Sequence, residues 1–267
     1  MKLYIKNYSS YRSDKEDINI KKELKEKYGL DTRRQDDFIH LAVYGAQRLK
    51  ENTTIQPDDE LYVTTGVGDI GVVQRTNTHV NKDNLSVKLF DFINLLGNST
   101  SYYVAKSLDI SGKNIFQISD NFTYINTLVS LYASITNSKK DAILCAIDLV
   151  NTPDEVIKRV LGMARDLEVI SSVNYQKFSL DNRNAVAVLE FESKSYTLDE
   201  VKEILISNHK PVKASMRCKK LELEKNSKMF ETAASFALND AMKKNEDLMY
   251  IDCFENHYKI LQLKSLR

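Results

Sequence analysis

The sequence predicts an α/β fold, and three observations carry that prediction. Apolar runs of strand length alternate with amphipathic stretches of helical spacing. Ala142 to Ile147 is a continuous apolar run between Asp141 and Asp148, as a strand buried on both faces should be. Gly29 and Gly112 punctuate the handovers, each at the end of a helical stretch. Strands alternating with helices predict a largely parallel central sheet. No period of roughly 20–50 residues indicates a solenoid.

The elements follow in order. Lys2 to Ile5 alternates apolar and polar residues and reads as a first strand. Asp17 to Tyr28 is a charged, solvated helix stopped by Gly29. Asp36 starts a stronger helix in which Phe38, Leu41, Ala42, Gly45 and Leu49 share a face, and Asp36 and Asp37 suit its first turn. His40 within it is read as structural. Glu60 to Thr65 is a short strand, followed by three glycines in Gly66 to Gly71. No Lys-Ser/Thr follows as in a P-loop, and no dinucleotide fingerprint is completed, so a tight strand-to-helix turn is predicted and no cofactor. Val87 to Leu96 is apolar-rich. A short helix covers Ser99 to Leu108, and Ile115, Phe116 and Ile118 make a buried strand.

A sharp bend is predicted at Ser119-Asp120-Asn121, with Ile125, Leu128, Val129, Tyr132 and Ile135 as the stripe of the next helix. Thr152-Pro153 opens another helix. Leu167 to Tyr175 and Asn184 to Phe191 are expected to be neighbouring antiparallel strands. Thr197 with Glu200 makes a capping box. Val212 to Leu223 reads as a strand. Phe230, Ala233, Ala237, Leu238 and Ala241 mark a helix face, and Leu248 to Cys253 a last strand.

The chain of 267 residues can bury one large domain or two small ones. With 38 basic and 37 acidic residues the formal charge is +1, which gives no electrostatic footprint for nucleic acid. No apolar run approaches the roughly 18 residues of a membrane-spanning helix. The N-terminal stretch lacks the long apolar core of a signal peptide, so a cytoplasmic protein is expected, with no membrane partner. Cys145, Cys218 and Cys253 form no CxxC pair and are expected as buried free thiols, so no metal site is expected. Without a secretory signal, the sequons at Asn98 and Asn121 are chance matches. All eight glycines lie at or before Gly162, which makes the glycine-free C-terminal third a poor source of loops that approach a substrate closely.

The order of motifs resembles the N-terminal half of β-ketoacyl synthases of the thiolase-like superfamily. Arg34-Gln35-Asp36-Asp37-Phe38-Ile39-His40-Leu41-Ala42 is similar to the family's R-x-x-D-R-F-x-x-L-A helix, and Thr65-Gly66-Val67-Gly68 to its G-T-G-x-G turn. Asn98, Val104-Ala105, Leu108, Ile110 and Gly112 resemble N-x-x-x-x-x-I-A-x-x-x-G-I-x-G-P, with Lys113 in place of the proline. Asp141 to Ile147 is similar to D-x-A-L-A-G-G, with Ala146 and Ile147 replacing the glycines. Phe178 to Asp181 and Val186 to Glu190 resemble P-F-D and G-A-x-x-L-V-L-E. The resemblance covers residues 30–195 and implies a thiolase-like layered α/β fold. In it, residues 1–195 form a complete N-terminal half and residues 196–267 a reduced C-terminal remnant.

The resemblance places the family's nucleophilic cysteine at Asn121, which cannot supply a thiolate. Tyr250-Ile251-Asp252 resembles the strand before the first catalytic histidine, but Phe254 stands at that position and His257 is three residues off. With nucleophile, histidines and glycine loops missing, the expectation is a non-catalytic homologue. The resemblance further implies a dimer seam at Ile115, Phe116, Gln117 and Ile118. It also implies acyl-tunnel shaping by Phe90, Phe92, Leu96, Tyr102, Tyr103, Phe122 and Tyr124. The expected role is that of a chain-length factor: a subunit that pairs with an active β-ketoacyl synthase of the aryl-polyene type, with acyl carrier protein as a further partner. Two alternatives are a homodimeric binder of acyl chains or carrier protein, and a hydrolase or acyltransferase using Asp120 at a helix N-terminus.

Overall fold

The computed structural model describes residues 1–160, 168–225 and 231–267. The first half runs β1 (Lys2–Arg12), α1 (Ile20–Glu26), α2 (Asp37–Lys50), β2 (Glu60–Thr65), α3 (Ile70–Asn81), α4 (Leu89–Leu95), α5 (Gly97–Leu108), β3 (Asn114–Ile118), α6 (Thr123–Ser138), β4 (Ala142–Asp148), α7 (Asp154–Val160) and β5 (Ser172–Ser179). The second runs β6 (Ala187–Phe191), α8 (Leu198–Ile206), β7 (Val212–Ala214), β8 (Glu224–Lys225), α9 (Ala233–Lys244), β9 (Leu248–Phe254) and β10 (His257–Ser265).

The strands form one sheet in the order β3-β2-β4-β5-β1-β6-β10-β9-β7-β8. The first five strands pair as third, second, fourth, fifth, first. The second five repeat that order in mirror sequence, joined through β1 and β6. The chain is thus built from two equivalent five-strand units. All five strands of the second unit are present, and among the described residues it carries two helices, α8 and α9.

The sheet corrects the expectation of a largely parallel one. Four strand pairs are parallel, β2 with β3 and β4, and β7 with β8 and β9. The five pairs through the middle are antiparallel. β9 and β10 are joined by the two-residue turn Glu255-Asn256, which permits only antiparallel pairing. The expected pairing of the strands at 167–175 and 184–191 is also corrected. β1 lies between β5 and β6 and bonds both, because its 11 residues are long enough to span the two units. Val212 to Leu223 is a strand only to Ala214. Leu167, Phe230 and Gly162 lie outside the described residues.

Alternation along the strands assigns the layers. On β4, Ala142, Leu144 and Ala146 face one cluster, and Ile143, Cys145 and Ile147 another. The first cluster contains α6, α9 and strands of both units, so these two helices form a central layer between the halves of the sheet. The second is covered by α1, α2 and α5. A third, under α8, takes Met249, Ile251 and Cys253, while Leu248 and Tyr250 of the same strand face the centre. The result is helix, sheet, helix, sheet, helix. The starts of α2 and α8 are as expected. Asp36 accepts from Phe38 N at 3.0 Å, and Thr197 and Glu200 form the capping box. His40 is buried, with Nε2 3.1 Å from Thr32 O, a structural role. All three cysteines are buried and free.

Candidate functional site

The carboxyl ends of strands from both units converge on the start of α6. β3 ends at Ile118, the chain bends through Ser119 to Asn121, and α6 begins only after Phe122, which has φ 45° and ψ 32°. That left-handed backbone is costly for an aromatic residue, on the order of 1–3 kcal/mol. Local bonds hold it. Ser119 Oγ donates to Asn121 O at 2.7 Å, Asn126 Nδ2 donates to the same oxygen at 3.1 Å, and Thr123 Oγ1 donates to Ser119 O. α6 has no side-chain cap, and its positive dipole end faces the bend.

The second unit covers the bend. Phe254, at the end of β9, meets the Phe122 ring edge to face, with centroids 6.5 Å apart. Arg217, just after β7, donates to Asp120 O at 2.5 Å and lies 5.3 Å from the centre of the Phe254 ring. Its other nitrogen is 2.6 Å from Glu231 Oε1. Lys259 Nζ lies 5.4 Å from the centre of the Phe122 ring. Glu231 packs on Gly66, where a Cβ would come within 2.6 Å of the Glu231 Cβ, so only glycine fits there. Asp148, at the end of β4, accepts from Gly66 N at 3.3 Å, Thr65 Oγ1 at 3.3 Å, Thr232 N at 3.1 Å and Thr232 Oγ1.

Three acids here are displaced upward. Burial pushes Asp148 up to about 6, against the opposing bonds from Thr232 and Gly66. Burial pushes Asp252 up to about 6, against the Cys253 N–H and Ser215 bonds. Burial pushes Glu231 up to about 8; Arg217 opposes the rise, while Asp252, Asp148 and Asp120 add to it. Arg217 acts on two of the three, Glu231 and Asp252. No group of three or more His, Cys, Asp or Glu side chains among the described residues is placed to hold a metal ion.

The residues expected at the site separate into four places. Asn121 and Phe122 are at the bend. Ile115, Phe116, Gln117 and Ile118 form β3, the end strand of the sheet, with one edge unpaired among the described residues. Phe90, Phe92, Leu96 and Tyr102 are exposed on α4 and α5 and at the joint between them, and Tyr102 meets Tyr103 edge to face at 5.3 Å. Tyr124 is fully buried in the central layer, donating to Gln176 Oε1. Asp120 presents an exposed side chain beside the Arg217–Glu231 pair. The sequence reading missed Arg217, Glu231, Asp148, Asp252 and Lys259. Asp148 alone left a signal, as the charge that ends a fully apolar strand. Contrary to expectation, the glycine-free third supplies half of the site, through side chains that reach in from the ends of β7 and β9 and from the start of α9.

No family model matches the sequence, and no curated protein does. Solved structures do. A chain of the ishigamide ketosynthase/chain length factor aligns with TM-score 0.63 at 11% identity, covering 91% of this chain and 85% of that one. The ketosynthase ApeO in complex with its chain length factor ApeC from Xenorhabdus doucetiae gives 0.62 at 9%, covering 98% and 99%. The AntDE:AntF complex, a type II PKS acyl-carrier protein with its ketosynthase bound to the hexaketide, gives 0.65 at 10%, covering 99% and 99%. At these identities the likeness speaks for the fold, over nearly the whole of both chains. The fold of this protein is that of the thiolase-like ketosynthases.

Proposed function

We propose that this chain is a chain-length-factor-like subunit that pairs with an active ketosynthase and shapes its acyl tunnel without catalysing condensation itself. One observation carries the reading. Of the large apolar side chains exposed among the described residues, nine lie between Val73 and Ile118 and only Ile206 and Leu266 lie elsewhere. They occupy α3, α4, α5 and the segments between them, together with the free strand β3. An exposed apolar face of this kind beside an open edge marks a protein interface. Ile115 to Ile118 supply the strand for pairing, and Phe90, Phe92, Leu96 and Tyr102 are the side chains that reach toward a partner's tunnel.

The bend supports the non-catalytic half of the proposal. Asn121 has no thiol, and Phe122, Phe254 and Arg217 fill the space in front of α6. The solved neighbours include ketosynthases in complex with their chain length factors and one complex with an acyl-carrier protein. An aryl-polyene-type synthase is the proposed partner, with carrier protein docking on the pair. The test is co-expression with an aryl-polyene-type ketosynthase. A stable heterodimer supports the reading, and a monodisperse monomer that ignores the synthase sinks it. A homodimer retaining acyl chains in native mass spectrometry would favour a binding protein instead.

A second reading draws on Glu231, an acid held near neutrality beside Asp120. Hydrolysis or acyl transfer by the isolated chain, abolished by both Asp120→Asn and Glu231→Gln, would establish it.

A further inference from the structure

We infer that the free edge of β1 from Tyr8 to Arg12 takes an added strand, an extended peptide with acidic side chains at alternate positions. The peptide runs antiparallel to β1, in line with β6. β1 bonds β5 from Tyr4 to Arg12, but β6 only from Lys2 to Ile5. The path of the chain is the reason. β5 ends opposite Tyr4, and the turn after it delivers β6 opposite Ile5, so β6 never reaches the rest of that edge. Asn7 to Arg12 all line an open groove of about 1160 Å³. At ~3.4 Å per residue that edge is about 20 Å long. Arg48 and Asn52 of α2 wall one side of the groove, and Phe236 and Lys243 of α9 the other.

The ladder shows which backbone groups face the groove. Ser13 N donates to Ser171 O at 3.0 Å, which makes these residues a bonded pair in register with β5. Bonded pairs alternate, so Tyr11 and Ser9 bond β5, while Tyr8, Ser10 and Arg12 turn their backbone groups outward. Tyr8 N donates to Asn7 Oδ1 at 2.7 Å, and Arg12 O accepts from Lys15 N at 3.2 Å and Glu16 N at 3.1 Å. Tyr8 O, Ser10 N, Ser10 O and Arg12 N have no partner among the described residues. An antiparallel peptide with its central residue opposite Ser10 engages all of them. The central residue exchanges both bonds with Ser10. The residue two before it accepts from Arg12 N, and the residue two after it donates to Tyr8 O.

The charge of the groove selects the occupant. Its acids are already paired, Glu16 with Arg48 at 2.8 Å, Glu51 with Lys27 at 2.7 Å and Asp240 with Lys244 at 3.7 Å. Lys15 and Lys243 line the same groove, exposed, and pair with no carboxylate among the described residues. Peptide residues opposite Tyr8, Ser10 and Arg12 share the face of the sheet on which Asn239 Nδ2 donates to Ser10 Oγ at 2.8 Å. Acidic side chains at those alternate positions therefore lie toward α9 and Lys243. Walls on both faces recess the edge. They block the sheet-to-sheet pairing that a bare edge invites and leave room for a single chain.

The groove shares no lining residue with β3 or with the α6 bend, so the test is independent of pairing with a ketosynthase. The probe is a fluorescent peptide of alternating Glu and Val, added to the full chain. It should bind at least about ten-fold tighter than a Lys-Val counterpart, and more weakly as salt is raised. N-methylation of its Glu amides removes the donors to Ser10 O and Tyr8 O, and should weaken binding at least about ten-fold. Amide exchange within residues 8–12 should slow at least about five-fold in the complex. Ser10→Pro removes an outward N–H and leaves the β5 ladder intact, so it should abolish binding. Lys243→Glu, on the exposed face of α9, keeps the test decisive should the proline variant not fold, and should weaken binding at least about five-fold. No binding at about 1 mM peptide, equal binding of the Lys-Val peptide, indifference to methylation, or protection elsewhere than residues 8–12 would each overturn the inference. So would self-association of the free chain with cross-links in β1.

Discussion

Asp148, Asp252 and Glu231 are three acids whose ordinary values lie near 4. In the folded chain Asp148 and Asp252 sit at about 6 and Glu231 at about 8, mainly through burial. A carboxyl raised in this way binds more protons in the native state than in the unfolded one. Its effect is to lower the unfolding free energy as pH climbs from about 4 through the folded values. Urea midpoints should therefore fall between about pH 5.5 and pH 8.5, by at least about 1 kcal/mol in stability. Glu231→Gln should flatten the upper part of that profile. A midpoint that rises with pH over the same window would refute the argument. Tyr124 gives a second check at this scale. Its hydroxyl donates to Gln176 Oε1 in a closed core, while Gln176 Nε2 is already engaged with Asn239 Oδ1 at 2.7 Å. Tyr124→Phe should cost about 1–2 kcal/mol in thermal unfolding, since it leaves a buried acceptor without a donor. A residue that lined an open tunnel would show almost no cost.

At the scale of elements, legibility followed locality. The α6 stripe, the α8 capping box and the apolar run of β4 are written in neighbouring residues, and each formed where the spacing put it. Asn121 and the bend were legible for the same reason, although the helix starts one residue later, after Phe122. Sheet order was not legible, because β1 reveals nothing in sequence about lying between β5 and β6. Arg217 and Glu231 were missed because they meet Asp120 across 97 and 111 positions, where no short pattern reaches. The free strand β3 and the helices beside it carry a prediction that follows from exposure. Phe92 and Ile118 are each 56% exposed. Phe92→Asp or Ile118→Asp should leave the stability of the isolated chain within about 0.5 kcal/mol, yet cut co-elution with a ketosynthase at least about ten-fold. Gly97→Ala should act differently, because its Cβ would overlap the Phe116 ring and push β3 out of line. That substitution should cost about 1–3 kcal/mol in the chain alone.

The whole molecule is two five-strand units that share one interior. α6 belongs to the first unit and α9 to the second, yet Ile125, Leu128, Leu131, Ala237, Leu238 and Leu261 fall in one continuous cluster. The topological break lies in the 180–186 turn after β5, so we place the division there rather than at residue 195. Either division leaves the inner face of α6 bare if the first unit is cut free. A helix stripped of half its apolar cover loses the burial that offsets its ordering entropy, at about 25 cal/mol for each Å² returned to water. Gln176 would also lose Asn239, and Asp148 would lose both Thr232 bonds. Residues 1–183 expressed alone should therefore lack a cooperative unfolding transition and should bind a hydrophobic dye. Co-expression with residues 184–267 should restore a single transition, because the β1–β6 pairing and the central helices need no covalent link. A sharp, independent transition for the first unit would show that the shared interior does not govern its folding. In that case the second unit would have to be retained for its cover over the bend alone.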